Sequence, residues 1–126
     1  MQKQDRKKVL AAVTDLFFTV KISDAAKRTG LEVEFVKTEK DLLEKAKEKP
    51  VLIVVDLNIN GLSPVRAISK IKHNSELKSI SILGFVSHLQ ADLKREALEA
   101  GANMVLARSA FSQNMPQIFK RYADLS

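Results

Sequence analysis

Residues 51–61 read VLIVVDLNING: five apolar residues in a row, one carboxylate, then polar residues and a glycine. A short apolar run without alternation reads as a strand covered on both faces, which places it centrally in a parallel sheet. The aspartate that ends it, Asp56, then stands where a buried strand leaves the core. An Asp there either caps a turn or does chemistry, and the rest of the chain has to decide between the two.

Outward from this stretch, one pattern recurs five times: a short apolar run, a small or polar break, then an amphipathic stretch. That alternation is the signature of βα units around a parallel sheet. The first run is VLAAV (9–13), followed by Phe18, Ile22, Ala25 and Ala26 at helical spacing and Gly30 as the stop. Phe17 and Phe18 read as core anchors of that helix, and VEFV (33–36) alternates as a strand near a sheet edge does. Its helix carries Leu42, Leu43 and Ala46. After the central run, Ser63 and Pro64 make an N-cap and first helical position, with Val65, Ile68 and Ile71 as the buried stripe. ISILGFV (80–86) leads to a helix with Leu89, Leu93, Ala97 and Ala100 on one face and Gly101 past its end. MVLA (104–107) precedes a last helix carrying Met115, Ile118, Phe119, Tyr122 and Leu125. With no linker or low-complexity tract, the expectation is one domain over residues 1–126, with 1–7 as a flexible basic N-terminus.

Composition excludes several classes. There are no cysteines, so disulfides, thiol catalysis and thiolate metal sites are out, which suits a reducing, cytoplasmic setting. No apolar run approaches the roughly 20 residues that a membrane span needs. The net charge of +6 could point to nucleic acid, but the 21 basic residues are dispersed among 15 acidic ones. Alternating signs, as in EKDLLEKAKEK (39–49), mark solvated helix faces, so nucleic acid is disfavoured as a partner and Lys3, Arg6, Lys7 and Lys8 read as a solubilising tail. Hydrolase elbows, Walker loops, dinucleotide fingerprints and zincin motifs are absent, so an enzyme is not expected.

In open sheets of this kind, ligands collect at the carboxyl ends of the strands. Thr14 and Asp15 follow the first run there, Asp56 the third, Ser87 and His88 the fourth, and Arg108 and Ser109 the fifth. His88 is a lone histidine at the mouth of the crevice, which more simply reads as a loop residue than as a ligand. NING has the look of a phosphate-cradling turn, but a single Gly61 does not make a nucleotide site.

On DLNINGL (56–62) and ALEAGANMVLARSAF (97–111), in this order and spacing, the chain resembles the receiver domains of two-component response regulators, the CheY-like fold, over essentially its whole length. The resemblance implies a doubly wound, flavodoxin-like (βα)5 α/β domain with a parallel five-stranded sheet in the order 2-1-3-4-5. It also implies that Asp56 is the phosphoacceptor position and that Arg108 and Ser109 stand where the family has Lys-Pro. The 97–111 stretch would then comprise the fourth-helix end, the fifth strand and a following loop that Phe111 packs.

The departures fall on the chemistry. The family's acidic pair maps to Val13 and Thr14, leaving only Asp15, one residue on. Magnesium would have to be held by Asp15, Asp56 and the backbone carbonyl of Asn58, so Mg²⁺ is expected to be weak or absent. The family's phosphoryl-sensing Ser/Thr maps to Val86, with Ser87 one residue late, and its aromatic switch maps to Val105. Arg108, planar and always protonated, can grip a carboxylate through two hydrogen bonds, so it is expected to pair with Asp56 and fill the crevice. Thr14, Ser87 and Arg108 are thus the remaining switch or charge-partner positions.

What the resemblance implies functionally is a stand-alone receiver domain in phosphorelay signalling, accepting a phosphoryl group on Asp56 from a histidine kinase or serving another signalling protein. Its output would pass through protein–protein contact, including a homodimer through the fourth-helix, fifth-strand and fifth-helix face. The alternative is a phosphorylation-independent pseudo-receiver that binds its partner through a fixed surface.

Overall fold

A computed structural model describes residues 7–87 and 90–125. Strands β1 (Lys8–Ala12), β2 (Glu32–Val36), β3 (Leu52–Asp56), β4 (Ile82–Val86) and β5 (Met104–Ala107) alternate with helices α1 (Leu16–Arg28), α2 (Glu39–Ala46), α3 (Pro64–Lys72), α4 (Ala91–Ala100) and α5 (Arg108–Ala123). All neighbouring strands are parallel, in the order β2-β1-β3-β4-β5, which is the expected doubly wound fold. The central run is buried at every position of β3, whereas β2 at the edge is mostly half-buried. Among the described residues, no helix is long and apolar enough to cross a membrane.

Because successive strand side chains point to opposite faces, the sheet divides the core in two. Leu10, Ile53, Val55 and Ile82 pack on one side with Leu42 of α2 and Ile68 and Ile71 of α3. Val9, Val54, Leu83 and Phe85 pack on the other with Phe18 and Ile22 of α1 and Phe111, Met115 and Phe119 of α5. Gly84 lies under Leu57: a Cβ there would stand 3.2 Å from the Leu57 side chain, so the missing side chain lets the residue after Asp56 seat on the sheet.

Several local expectations change in three dimensions. Phe17 is 66% exposed, since Phe18, Ile22, Ala25 and Ala26 already fill the inward face of α1 and Phe17 lies about 100° round the helix from Phe18. Ala67, rather than Val65, completes the buried stripe of α3. Of the fourth helix only Ala97 is buried, with Leu93 and Ala100 half-buried. Leu89, His88, Lys3 and Arg6 lie outside the described residues. Leu125 is past the end of α5 and exposed. Lys8 begins β1 and its ammonium pairs with Glu34 at 3.0 Å and Glu48 at 2.9 Å, so it belongs to the sheet and not to a solvated tail.

The fifth-strand region departs most. β5 runs straight into α5, with Arg108 as the first helical residue, and Phe111 is a fully buried helix residue instead of a loop residue. A proline at 109 would have disfavoured the α conformation at 108; with Ser109 that constraint is lifted and the helix starts one step from the strand.

Candidate functional site: an acidic crevice spanned by an arginine

Asp56 ends the central strand at the carboxyl edge of the sheet and is the buried charged residue of the described core, 4% exposed. Its Oδ1 accepts a hydrogen bond from the Asn58 N–H at 2.9 Å, an Asx turn that orients the carboxylate as the chain leaves the strand. The Asn58 side chain reaches the next loop. Its Nδ2 donates to Gln90 Oε1 at 2.6 Å, and its Oδ1 accepts from the Ser87 N–H at 3.3 Å. The β3–α3 and β4–α4 connections are thus tied beside Asp56 by one amide.

Asp15 is the N-cap of α1: its Oδ1 accepts from the Phe18 N–H at 3.0 Å, satisfying one orphan donor of the first turn. Its other oxygen, Oδ2, accepts from Arg108 Nη2 at 2.9 Å. Arg108 Nη1 stands 3.8 Å from Asp56 Oδ2, close enough for attraction without a hydrogen bond. The expected Arg108–Asp56 pair therefore exists, but the directed bond goes to Asp15. With α5 beginning at Arg108 itself, the guanidinium spans the crevice between the two carboxylates.

An apolar stack supports that guanidinium. Phe18, Phe85 and Phe111 cluster, with ring centroids 4.7 Å (Phe18–Phe85), 5.0 Å (Phe85–Phe111) and 6.1 Å (Phe18–Phe111) apart, and the Arg108 Cζ stands 4.6 Å from the Phe18 centroid and 5.5 Å from that of Phe85. A cation over aromatic faces is attracted to them. This compensates a poor position, since a positive charge at a helix N-terminus is opposed by the helix dipole. The aromatic platform and the Asn58–Gln90 tie were not anticipated from sequence. Phe18, Phe85 and Phe111 were legible as core residues, but their mutual stacking depends on three separate elements meeting, and Gln90 carries no local signal.

The two carboxylates titrate in opposite directions. The Phe18 N–H bond, helped by Arg108, holds Asp15 below the usual carboxylate range. Burial raises Asp56, with Asn58 and Arg108 pulling the other way and Asp15 adding to the rise. Asp15 thus contributes stability above its unfolded pKa that is lost as pH falls through its lower folded value. Asp15→Ala is expected to cost about 1 kcal/mol through the lost cap, with Asp15→Asn costing less because an amide oxygen still caps. Urea unfolding of the two variants at neutral pH checks the order.

Magnesium fits this donor set poorly. Both oxygens of Asp15 are engaged, Oδ1 of Asp56 is engaged, and the guanidinium already supplies the positive charge between them. The Asn58 carbonyl would add only a neutral donor, and among the described residues no group of three or more His, Cys, Asp or Glu could hold a metal ion. Thr14 is exposed, and neither its hydroxyl nor that of Ser87 makes a hydrogen bond among the described residues. Val13 and Val86 are buried at the positions that bound the crevice, as is Val105 on β5.

The site is thus a buried acid on the central strand of a 2-1-3-4-5 sheet, facing a cation from the start of the last helix. Residues 14–120 match the family model of the response regulator receiver domain, and the chain belongs to that family. The family consists of phosphoacceptor modules and not of enzymes. None of the curated proteins matches the chain. Among solved structures, it is similar to the chemotaxis response regulator CheY4 of Vibrio cholerae, with 21% identity, TM-score 0.78, and 93% of this chain and 98% of that one covered. It is also similar to the receiver domain of the sensor histidine kinase PA1611 of Pseudomonas aeruginosa PAO1, crystallised with a magnesium ion in its active-site cleft, at 16% identity and TM-score 0.79, covering 95% and 99%. A third is the phosphorylated cyanobacterial phytochrome response regulator RcpA, at 20% identity and TM-score 0.77, covering 92% and 90%. At these identities the likeness concerns the fold.

Proposed function

We propose that this protein acts in two-component signal transduction through protein–protein contact, as a pseudo-receiver whose acidic crevice is spanned by its own arginine instead of by a metal and a phosphoryl group. The observation that carries this reading is Arg108, hydrogen-bonded to Asp15 and 3.8 Å from Asp56. Its guanidinium stands where incoming charge would have to be neutralised. Val86 and Val105 support the same reading, since neither can donate a hydrogen bond to a phosphoryl oxygen or swing an aromatic ring. The partner is a histidine kinase or another signalling protein, met on a fixed surface, and the absence of cysteine suits a cytoplasmic role. The face made by α4, β5 and α5, with Leu98 exposed, is the surface we assign to it.

A second reading keeps Asp56 as a phosphoacceptor. It is favoured by one feature: with Oδ1 held by Asn58, Oδ2 of Asp56 accepts no hydrogen bond among the described residues and remains available as a nucleophile. Incubation with a small phosphodonor at millimolar Mg²⁺, read by intact mass, and with beryllofluoride, read by amide chemical shifts, separates the two. No added phosphoryl mass and no Asp56-dependent shifts are expected. Modification that disappears in Asp56→Asn would overturn the pseudo-receiver reading and establish the second.

A further inference from the structure

Half of the NING turn (58–61) has no part in the crevice or the core. Asn58 reaches the neighbouring connection, and Ile59 is buried with its N–H donating to the Asp56 carbonyl at 3.0 Å, but Asn60 and Gly61 are both exposed. The chain has five asparagines, and the side chains of the other four are held. Asn58 donates to Gln90, Asn74 accepts from the Glu76 N–H, Asn103 accepts from the Ile82 N–H, and Asn114 donates to the Ala110 carbonyl. Among the described residues, neither the Asn60 side chain nor the Gly61 N–H makes a hydrogen bond. Asn60 is also the asparagine that precedes a glycine; Ile59, Ser75, Met104 and Met115 follow the others. Gly61 has φ +96, a conformation that side chains disfavour, so the turn itself keeps a residue without Cβ next to Asn60.

We propose that Asn60–Gly61 is a self-modification site, where the Asn60 amide is lost by cyclisation onto the backbone and a carboxylate takes its place. The Gly61 nitrogen, on losing its proton, attacks Asn60 Cγ. The new bond closes a five-membered succinimide, and the side-chain nitrogen takes up protons and leaves as ammonia. Water then opens one of the two imide carbonyls. Opening at Cγ gives aspartate; opening at the main-chain carbonyl gives isoaspartate, with the backbone running through the former side chain. Nothing is oxidised or reduced, and water is the one co-reactant. An amide without hydrogen bonds turns its Cγ towards the next nitrogen without breaking any, and glycine leaves that nitrogen open to approach. After Asn58, by contrast, the β-branched Ile59 crowds it. Either product lowers the net charge of +6 by one, on the connection that presents Asp56. The isoaspartyl form also lengthens the chain by one atom. Ile59 anchors one side of the turn, and the Ser63 carbonyl, which accepts from the Ala67 N–H at 3.0 Å, anchors the other, so residues 60–62 absorb that atom and the fold is kept.

The test is incubation of the folded protein over days in mildly alkaline buffer, read by intact mass, with peptide mapping and labelling by an isoaspartyl methyltransferase. A gain of one dalton is expected at residue 60, together with released ammonia and methyltransferase-labelled product. The rate should rise with pH, because the attacking nitrogen must lose its proton, and should lie within tenfold of that in urea, where no structure restrains the turn. Asn60→Gln, which would need a larger ring, should abolish the gain over the same period and leave the thermal midpoint unchanged. The other four asparagines should remain amides. No gain in the folded protein after the urea-unfolded protein has fully converted overturns the proposal. So does a gain that persists in Asn60→Gln or maps to another asparagine. None of these outcomes depends on whether Asp56 is phosphorylated.

Discussion

Phe85→Ala is expected to remove about 3–5 kcal/mol of folding stability, a large share of the 5–15 kcal/mol typical of a domain. Phe85 is fully buried on β4, next to the central strand, and its ring packs against both Phe18 of α1 and Phe111 of α5, which also touch each other. Its truncation therefore opens a cavity bounded by three elements, which cannot all collapse into it. Aromatic contacts of about 0.5–1.5 kcal/mol beyond the area term are lost with each of the two rings. Phe17→Ala, one residue from Phe18 but on the exposed face, should change stability by no more than about 0.5 kcal/mol. Denaturant unfolding of the pair measures the contrast. Equal effects would mean that the aromatic stack does not hold the site together. Since Arg108 rests on Phe18 and Phe85, the Phe85 variant should also loosen the guanidinium, seen as a change in its side-chain NMR signals.

Arg108→Met is the second large effect, expected to cost about 1–3 kcal/mol at neutral pH because it leaves buried Asp56 without its countercharge. The cost should depend on pH in a defined sense. Burial raises the folded pKa of Asp56 above its unfolded value, so its contribution to stability is fully present below the unfolded pKa and is lost as pH rises through the folded one. Removing Arg108 raises that folded pKa further. The variant should therefore approach the wild type on acidification towards the pKa of Asp56, before Asp15 protonates in turn, and fall away again towards neutrality. Asp56→Asn should rescue it, since an amide keeps the Asn58 turn without the charge, and should by itself stabilise the wild type at neutral pH. A double-mutant cycle over pH, by urea unfolding, reads all four species. Additive effects of the two substitutions would remove the electrostatic link between Arg108 and Asp56.

These two experiments fall on different levels of what could be read in advance. VLIVV, unbroken by any polar residue, announced a strand covered on both faces, and the five apolar runs announced five strands, because burial leaves a one-dimensional record in which residues are apolar. Gly101 and Gly30 marked helix ends for the same local reason, a positive φ that other residues avoid. Asp56 was legible as the residue delivered to the carboxyl edge, and so were Asp15 and Arg108 as its neighbours. Phe17, by contrast, does not follow Phe18 into the core. Adjacent residues on a helix differ by about 100° in direction, and hydrophobicity alone does not say which of the two faces the sheet.

By itself, then, the sequence determined the alternation of strands and helices, the central place of residues 52–56 and the polar set at the crevice, all consequences of local periodicity and strand polarity. Only the tertiary structure decided how that set is wired. That Arg108 bonds Asp15 while only facing Asp56, that Phe18, Phe85 and Phe111 form its platform, and that Asn58 reaches Gln90 depend on side-chain directions from elements up to 93 residues apart in the chain. Local patterning carries no information about such directions. They follow from strand register and from where α5 begins, and Ser109 lets it begin at Arg108.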